Sequence, residues 1–64
     1  MDELVVYQIK VLLDGQVQAT LDVPTYQGIL AAERRAKWAW IHHYGRELDD
    51  LNRVTTQFKG RRKS

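Results

Sequence analysis

The sequence predicts a small α+β fold with the element order β-β-α-β, in which an antiparallel hairpin and a short third strand carry one long helix on one sheet face. Three observations predict this fold. Two stretches of alternating apolar and polar residues flank Asp14-Gly15, a residue pair typical of tight hairpin turns. A proline-free stretch from Ile29 to Tyr44 is rich in helix-forming residues. A third alternating stretch, Val54 to Lys59, supplies the extra strand that an isolated hairpin needs for stability.

The two hairpin strands each have one apolar face. Those faces comprise Val5, Tyr7, Ile9, Val11 and Leu13 in the first strand, and Val17, Ala19, Leu21 and Val23 in the second. A two-residue loop at Asp14-Gly15 would set apolar residues against polar ones, which sheet packing disfavours. A three-residue loop of residues 13–15 sets Val11 opposite Val17 and places Gly15 in the left-handed position, so we predict that register. A loop of residues 14–16 also aligns the apolar faces.

The helix should follow Pro24, which ends the second strand because proline donates no ladder hydrogen bond. Thr25 is the expected N-cap, with residues 26–28 in the first turn, and Gly45 is the expected end of the helix. At 100° per residue, the stripe expected to face the sheet contains Ile29, Ala32, Ala36, Ala39, Trp40 and His43. A second apolar group lies roughly opposite this stripe, and it contains Leu30, Ala31, Trp38 and Ile41, interleaved with Arg34 and Lys37.

Residues 46–53 are expected to form a helical turn with Leu48 and Leu51 facing inward. Residues 1–58 are then a single domain, and residues 59–64 are a basic, flexible tail. The tail holds four of the ten Lys and Arg residues, whereas residues 1–58 carry six basic and eight acidic residues. The net charge of +2 therefore comes from the tail.

The residue types present predict a protein that is not an enzyme and has no cofactor, metal or small-molecule substrate. The sequence has no cysteine, its one serine is Ser64, and no glycine-rich phosphate loop is present. His42 and His43 are adjacent and so point about 100° apart on a helix, whereas metal-binding histidines normally lie three or four residues apart. Asp49 and Asp50 lie in a polar, solvated stretch, which is unsuited to a pair of catalytic carboxylates.

The expected location is the cytoplasm. Asp2 and Glu3 stand where a signal peptide would carry positive charge. No apolar run approaches the roughly 20 residues that a membrane-spanning helix needs.

The second apolar group of the helix predicts a protein-interaction surface. One helix on one small sheet buries a single face, so this group needs another partner. The candidate partner-binding residues are Leu30, Arg34, Lys37, Trp38 and Ile41. Tryptophan and arginine are enriched at interface hot spots. The expected function is a small non-catalytic interaction module, acting as a homodimer, adaptor or inhibitor. The competing interpretation is that residues 46–58 fold back and cover this group.

The basic residues predict an alternative function, which is binding to the phosphate backbone of a nucleic acid, with sheet residues reading the bases. The candidate residues are Lys10, Lys59, Arg61, Arg62 and Lys63. The competing interpretation is a solvated chain end. The element order and the Asp14-Gly15 turn resemble those of the small three-stranded DNA-binding modules of mobile-element integrases. Strands in those modules are usually basic, whereas this hairpin contains one lysine.

Overall fold

The computed structural model describes residues 4–63, and the side chains of residues 4–61. The order is β1 (Val5–Leu13), β2 (Gln16–Thr25), α1 (Ile29–Tyr44), a short 3₁₀ turn at Leu51–Arg53, and β3 (Val54–Lys63). The strands form one antiparallel sheet in the order β2-β1-β3, with α1 packed on one face. The predicted α+β fold and its element order are confirmed.

The hairpin turn has two residues rather than the predicted three. Asp14 and Gly15 both have positive φ angles, of 51° and 83°. Leu13 pairs with Gln16 and Leu12 with Val17. Such a turn matches the right-handed twist of the flanking strands, which favours it over longer loops.

A bulge at Gln18 corrects the mismatch that this short turn creates. The extra residue in β2 shifts the pairing, so that Val11 lies opposite Ala19 and Tyr7 lies opposite Val23. The apolar faces are therefore aligned, although the predicted pairing of Val11 with Val17 is wrong. Beyond the bulge, the register is the one that a loop of residues 14–16 would have given. One inserted residue restores the alternation because the side-chain period of a strand is two.

Strand β3 is longer than predicted and includes most of the basic segment. It continues past Lys59 to Lys63, so residues 59–63 lie within the sheet instead of forming a tail after it. A bulge at Lys59 separates the pair Ile9 with Phe58 from the pair Gln8 with Gly60. Backbone pairing with the central strand β1 places the segment in the sheet, a long-range interaction that composition did not reveal. Ser64 lies outside the described residues.

The core lies between the sheet and α1. Ala32 and Ala36 of α1 are fully buried, as are Ile9 and Val11 of β1. Small side chains on the helix let it lie close to the larger side chains of the central strand. The buried apolar cluster contains Tyr7, Ile9, Val11, Val23, Ala32, Ala36, Trp40, Ile41 and Val54.

The predicted buried stripe of the helix is only partly right. Ala32, Ala36 and Trp40 are buried, but Ile29, Ala39 and His43 are exposed. Ile41, which was predicted on the outer face, is buried in the core cluster with Val54, and Leu48 packs against that cluster. The C-terminal half of α1 is covered from two directions, by the sheet and by the chain that returns to β3, and this widens its buried arc.

The helix begins later than predicted, at Ile29. Thr25 belongs to β2, where its hydroxyl oxygen accepts a hydrogen bond from the backbone N–H of Gln27 at 3.0 Å. Gly28 is the N-cap, with φ 94° and ψ −174°. This region of backbone space is strained for any residue with a Cβ atom. Gly28 is therefore the point at which the chain turns from the sheet into the helix.

We predict that Gly28→Ala lowers the free energy of unfolding by about 1–3 kcal/mol, because alanine is strained at this φ and ψ. Urea denaturation followed by circular dichroism measures the change. Gly60→Ala is the matched control, since a Cβ atom there would meet only the Gln8 side chain, at an ordinary 3.7 Å. Equal stability of the Gly28 variant and the wild type would contradict the prediction.

Candidate functional site

The side of α1 that faces away from the sheet is the candidate site. Leu30 is 76% exposed and Trp38 is 54% exposed, and Arg34 is exposed while Lys37 is partly buried between them. We call these four residues the outer helix face. Ile41 was predicted to belong to it, but only 7% of Ile41 is exposed, so it supports the surface from beneath.

The segment after the helix forms a wall beside Trp38 and does not cover it. Between this segment and the helix lies an open pocket of about 720 Å³, which we call the Trp38 pocket. Its lining includes Trp38, Ile41, His42, Arg46, Leu48 and Leu51. The interpretation in which residues 46–58 cover the apolar group therefore holds for Ile41 but not for Trp38, which is 54% exposed.

Gly45 allows the chain to turn tightly at the base of this pocket. Its backbone N–H donates to the carbonyl oxygen of Ile41 at 2.9 Å, and its own carbonyl oxygen accepts from Leu48 N–H at 3.1 Å. A Cβ atom on Gly45 would lie 3.1 Å from Ile41 Cα and 3.1 Å from a Leu48 methyl group. The absence of a side chain thus brings Leu48 against the end of the helix.

An ion pair attaches the pocket wall to the hairpin turn. Arg53 Nη2 lies 2.6 Å from Asp14 Oδ2, and Arg53 Nη1 lies 3.2 Å from Asp49 Oδ1. Asp14 N–H also donates to the Arg53 carbonyl oxygen at 3.1 Å. The hydrogen bond from Arg53 lowers the pKa of Asp14 below its ordinary value, and the same contact raises the pKa of Arg53. The Asp14–Arg53 contact therefore positions the 3₁₀ turn, and with it Leu51.

A second, smaller pocket lies further along the outer helix face, toward the start of α1. It has a volume of about 350 Å³ and lies between α1 and the edge strand β3. Its lining consists of Leu30, Glu33, Arg34, Lys37 and Thr56. We call it the Leu30 pocket. The outer helix face thus has two concave sites in a row.

Both pockets have basic side chains in their lining. Arg34 and Lys37 line the Leu30 pocket, and Arg46 lines the Trp38 pocket. None of these three side chains forms an ion pair with any residue in the range 4–61. Glu33 is the one carboxylate among the lining residues of the two pockets.

The residues predicted to bind nucleic acid do not form one patch. Lys10 lies opposite Gln57, whereas Arg61 lies opposite Tyr7, whose side chain is buried on the helix side of the sheet. Because cross-strand neighbours share a face and faces alternate along a strand, Lys10 and Arg61 are on opposite faces. Lys59 occupies the bulge and is exposed. In the backbone register, Arg62 is opposite Val6 and Lys63 is opposite Val5.

The histidines adopt no arrangement of metal ligands within the described part of the chain. The rings of His42 and His43 are 5.5 Å apart between centroids, with their planes at 81°. Residues 4–61 contain no group of three His, Cys, Asp or Glu side chains that could hold a metal ion.

Sequence reasoning identified the apolar residues of the site better than its shape. Leu48 and Leu51 were predicted to face inward. Leu48 is partly buried and packs against the core cluster, as predicted, whereas Leu51 is 38% exposed, so its prediction is wrong, and both residues line the Trp38 pocket. The role of His42 and Arg46 in the same wall was missed, because it depends on how the chain turns after Gly45. The proximity of Thr56 to Leu30 was also missed, since it depends on β3 being the neighbour of β1 on the side away from β2.

No protein-family model matches the sequence, and neither the curated proteins nor the solved structures include a significant match. Over the described residues, no helix combines the length and the apolar character needed to cross a membrane.

We predict that Asp14→Asn lowers stability at neutral pH, and that its difference from the wild type disappears in acid. Asparagine keeps the tolerance for positive φ but cannot form the ion pair. Since the folded-state pKa of Asp14 is lowered, the ion pair stabilises above the ordinary pKa of 3.8 and is lost as pH falls through the lowered value.

Urea midpoints of both proteins, measured from about pH 6 down to about pH 2, check this pH dependence. Arg53→Gln is the partner variant, and the double variant closes a mutant cycle. A difference between wild type and Asp14→Asn that stays constant over the whole pH range would show that the charge of Asp14 is not what stabilises the turn.

Proposed function

We propose that this protein is a non-catalytic protein-interaction module that binds its partner through the outer helix face and the Trp38 pocket. The observation that carries the proposal is the exposure of Trp38 beside an apolar pocket within a single chain. Exposed apolar patches with a concave apolar site are typical of interaction surfaces. The partner would fill the space that neither the sheet nor the segment after the helix occupies.

The energetic basis of such an interface is burial of a few large side chains. Tryptophan and arginine dominate interface energies when a partner removes them from water. Trp38 offers about half of its surface for this purpose, and Leu30 offers about three quarters. Because Ile41 and Leu48 are packed against the core, the floor of the pocket is anchored to the fold and does not have to be ordered on binding.

We predict that Trp38→Glu weakens partner binding at least about 30-fold while leaving the fold intact. Loss of a hot-spot side chain costs about 2 kcal/mol or more, which is about 30-fold in affinity. Tyr44→Glu is the matched control, since Tyr44 is an aromatic residue on the same helix, 77% exposed, that contacts Trp40 and lies outside the lining of the Trp38 pocket.

The three proteins are used as baits, and any protein that is retained by wild type and Tyr44→Glu but not by Trp38→Glu is purified and titrated calorimetrically. Sedimentation of the chain alone tests self-association, and circular dichroism checks that each variant is folded. The proposal fails if the wild type sediments as a monomer and no partner depends on Trp38.

A second candidate function is binding to a nucleic-acid backbone through β3. The observation that favours it is that Lys59 and Arg61 are exposed on β3, a strand that pairs with β1, so both residues lie within the sheet. Lys10 and Arg61 lie on opposite faces of the sheet, which disfavours simultaneous contact of all the basic residues with one groove of a duplex.

For this second candidate, we predict that Lys59→Gln with Arg61→Gln reduces the slope of log affinity for duplex DNA against log salt by about 2 units, since each phosphate contact contributes about 0.9. Substitution is preferable to truncation, because deleting residues 59–63 would remove half of β3. Fluorescence anisotropy with labelled duplex measures the slope. An unchanged slope, or no binding at low salt, excludes the second candidate.

A further inference from the structure

The charges around the two pockets identify the kind of partner that the outer helix face fits, an inference that rests on the proposed function. Arg34, Lys37 and Arg46 have no ion-pair partner among residues 4–61. They border apolar surface, so a partner that buries Leu30 and Trp38 also brings its own side chains close to these three cations. Carboxylates at those positions form charge-assisted hydrogen bonds, whereas cations are repelled.

A second copy of the chain does not match these charges. In an antiparallel pair of α1 helices centred between Leu30 and Trp38, Arg34 of one copy approaches Arg34 of the other. The helix carries Arg34, Arg35 and Lys37 against a single carboxylate, Glu33. Like charges placed across an interface oppose association and select against that pairing.

A nucleic acid does not match the apolar surface. The Trp38 pocket is lined by Ile41, Leu48 and Leu51, and such a site is filled by an apolar side chain. The phosphate groups of a nucleic acid would satisfy the cations but would leave this pocket without an apolar occupant.

The spacing of the pockets matches an amphipathic helix. The helix residues that line them are offset by eight positions, since Leu30 and Lys37 line one while Trp38 and Gly45 line the other. At 1.5 Å per residue this offset is about 12 Å along the axis. Two apolar side chains seven or eight residues apart on a partner helix have the same separation, as in helix-in-groove recognition.

We propose that the outer helix face binds an acidic amphipathic helix of another protein. Two large apolar side chains of that helix, seven or eight residues apart, occupy the Leu30 and Trp38 pockets. Its carboxylates pair with Arg34, Lys37 and Arg46.

The test uses a phage-displayed library of random peptides about 16 residues long, the length of α1, panned against the full chain. Enriched peptides are expected to contain an excess of Asp and Glu and two large apolar residues at the stated spacing. Selected peptides are synthesised and titrated against variants whose folding is checked by circular dichroism. Binding to Trp38→Glu should be at least about 30-fold weaker.

The charge component is tested with Arg34→Glu combined with Lys37→Glu, which should weaken binding about 10-fold and more strongly at low salt. Arg35→Glu combined with Lys59→Glu is the matched control. It changes the net charge equally, but Arg35 donates to the Pro24 carbonyl oxygen and Lys59 lies in the β3 bulge, so neither lines the two pockets. Arg34→Gln with Lys37→Gln replaces the reversal if that variant does not fold.

The possible results distinguish failure of the acidic-helix proposal from failure of the proposed function. Three results overturn the acidic helix but leave the proposed function standing, provided that peptide binding still needs Trp38. The enriched peptides are neutral or basic, they lack the predicted spacing, or they bind the charge-reversed protein equally well. If the chain forms a dimer that Trp38→Glu dissociates, the acidic helix is also overturned and the proposed function stands, because a second copy of the chain then occupies the outer helix face. Displacement of the peptides by duplex DNA also overturns the acidic helix, since it assigns the face to a nucleic acid. Failure to enrich any peptide, or binding that is independent of Trp38, overturns the helix and counts against docking at this face altogether.

Discussion

A single helix packed on a three-stranded sheet can bury only one side of each layer. In this protein the contact is made by Ala32 and Ala36 on α1 against Ile9 and Val11 on the central strand, and all four are fully buried. Nothing else in the described chain lies over the outer side of Trp38 or over the other side of the sheet. The exposed surfaces are therefore a direct consequence of the two-layer architecture, and they are where a partner could contribute buried area to a very small core.

The central strand imposes regularity, and the two edge strands adjust to it. Residues of β1 pair on both sides, with β2 and with β3, while one extra residue in each edge strand adapts the register, at Gln18 and at Lys59. Bulges increase local twist and make an edge less suitable for pairing with another chain. At Gln18 the bulge reconciles a two-residue turn with alignment of the apolar faces, two requirements that conflict in a regular ladder.

The candidate site depends on the chain that connects α1 to β3. Gly45 lets this segment approach the helix end, Leu48 packs against the core, and Arg53 is held by Asp14 of the hairpin turn. Because of these contacts the segment stands beside Trp38 as a wall, while it buries Ile41. Trp38 and Ile41, which were predicted on the same face of the helix, therefore differ in exposure. The wall beside Trp38 creates a concave site that an exposed helix alone would lack.

By itself, the sequence determined the element order, the hairpin position and the presence of an outer apolar group on the helix. These follow from local patterns, namely strand alternation, the Asp14-Gly15 turn and the 3.6-residue period, which each segment carries within a few residues. Only the tertiary structure decided the register, the extension of β3 to Lys63, the late helix start at Ile29 and the burial of Ile41. Each of those features depends on contacts between segments that are distant in the chain. The energies of these contacts outweigh local preferences, and no local sequence pattern reveals them.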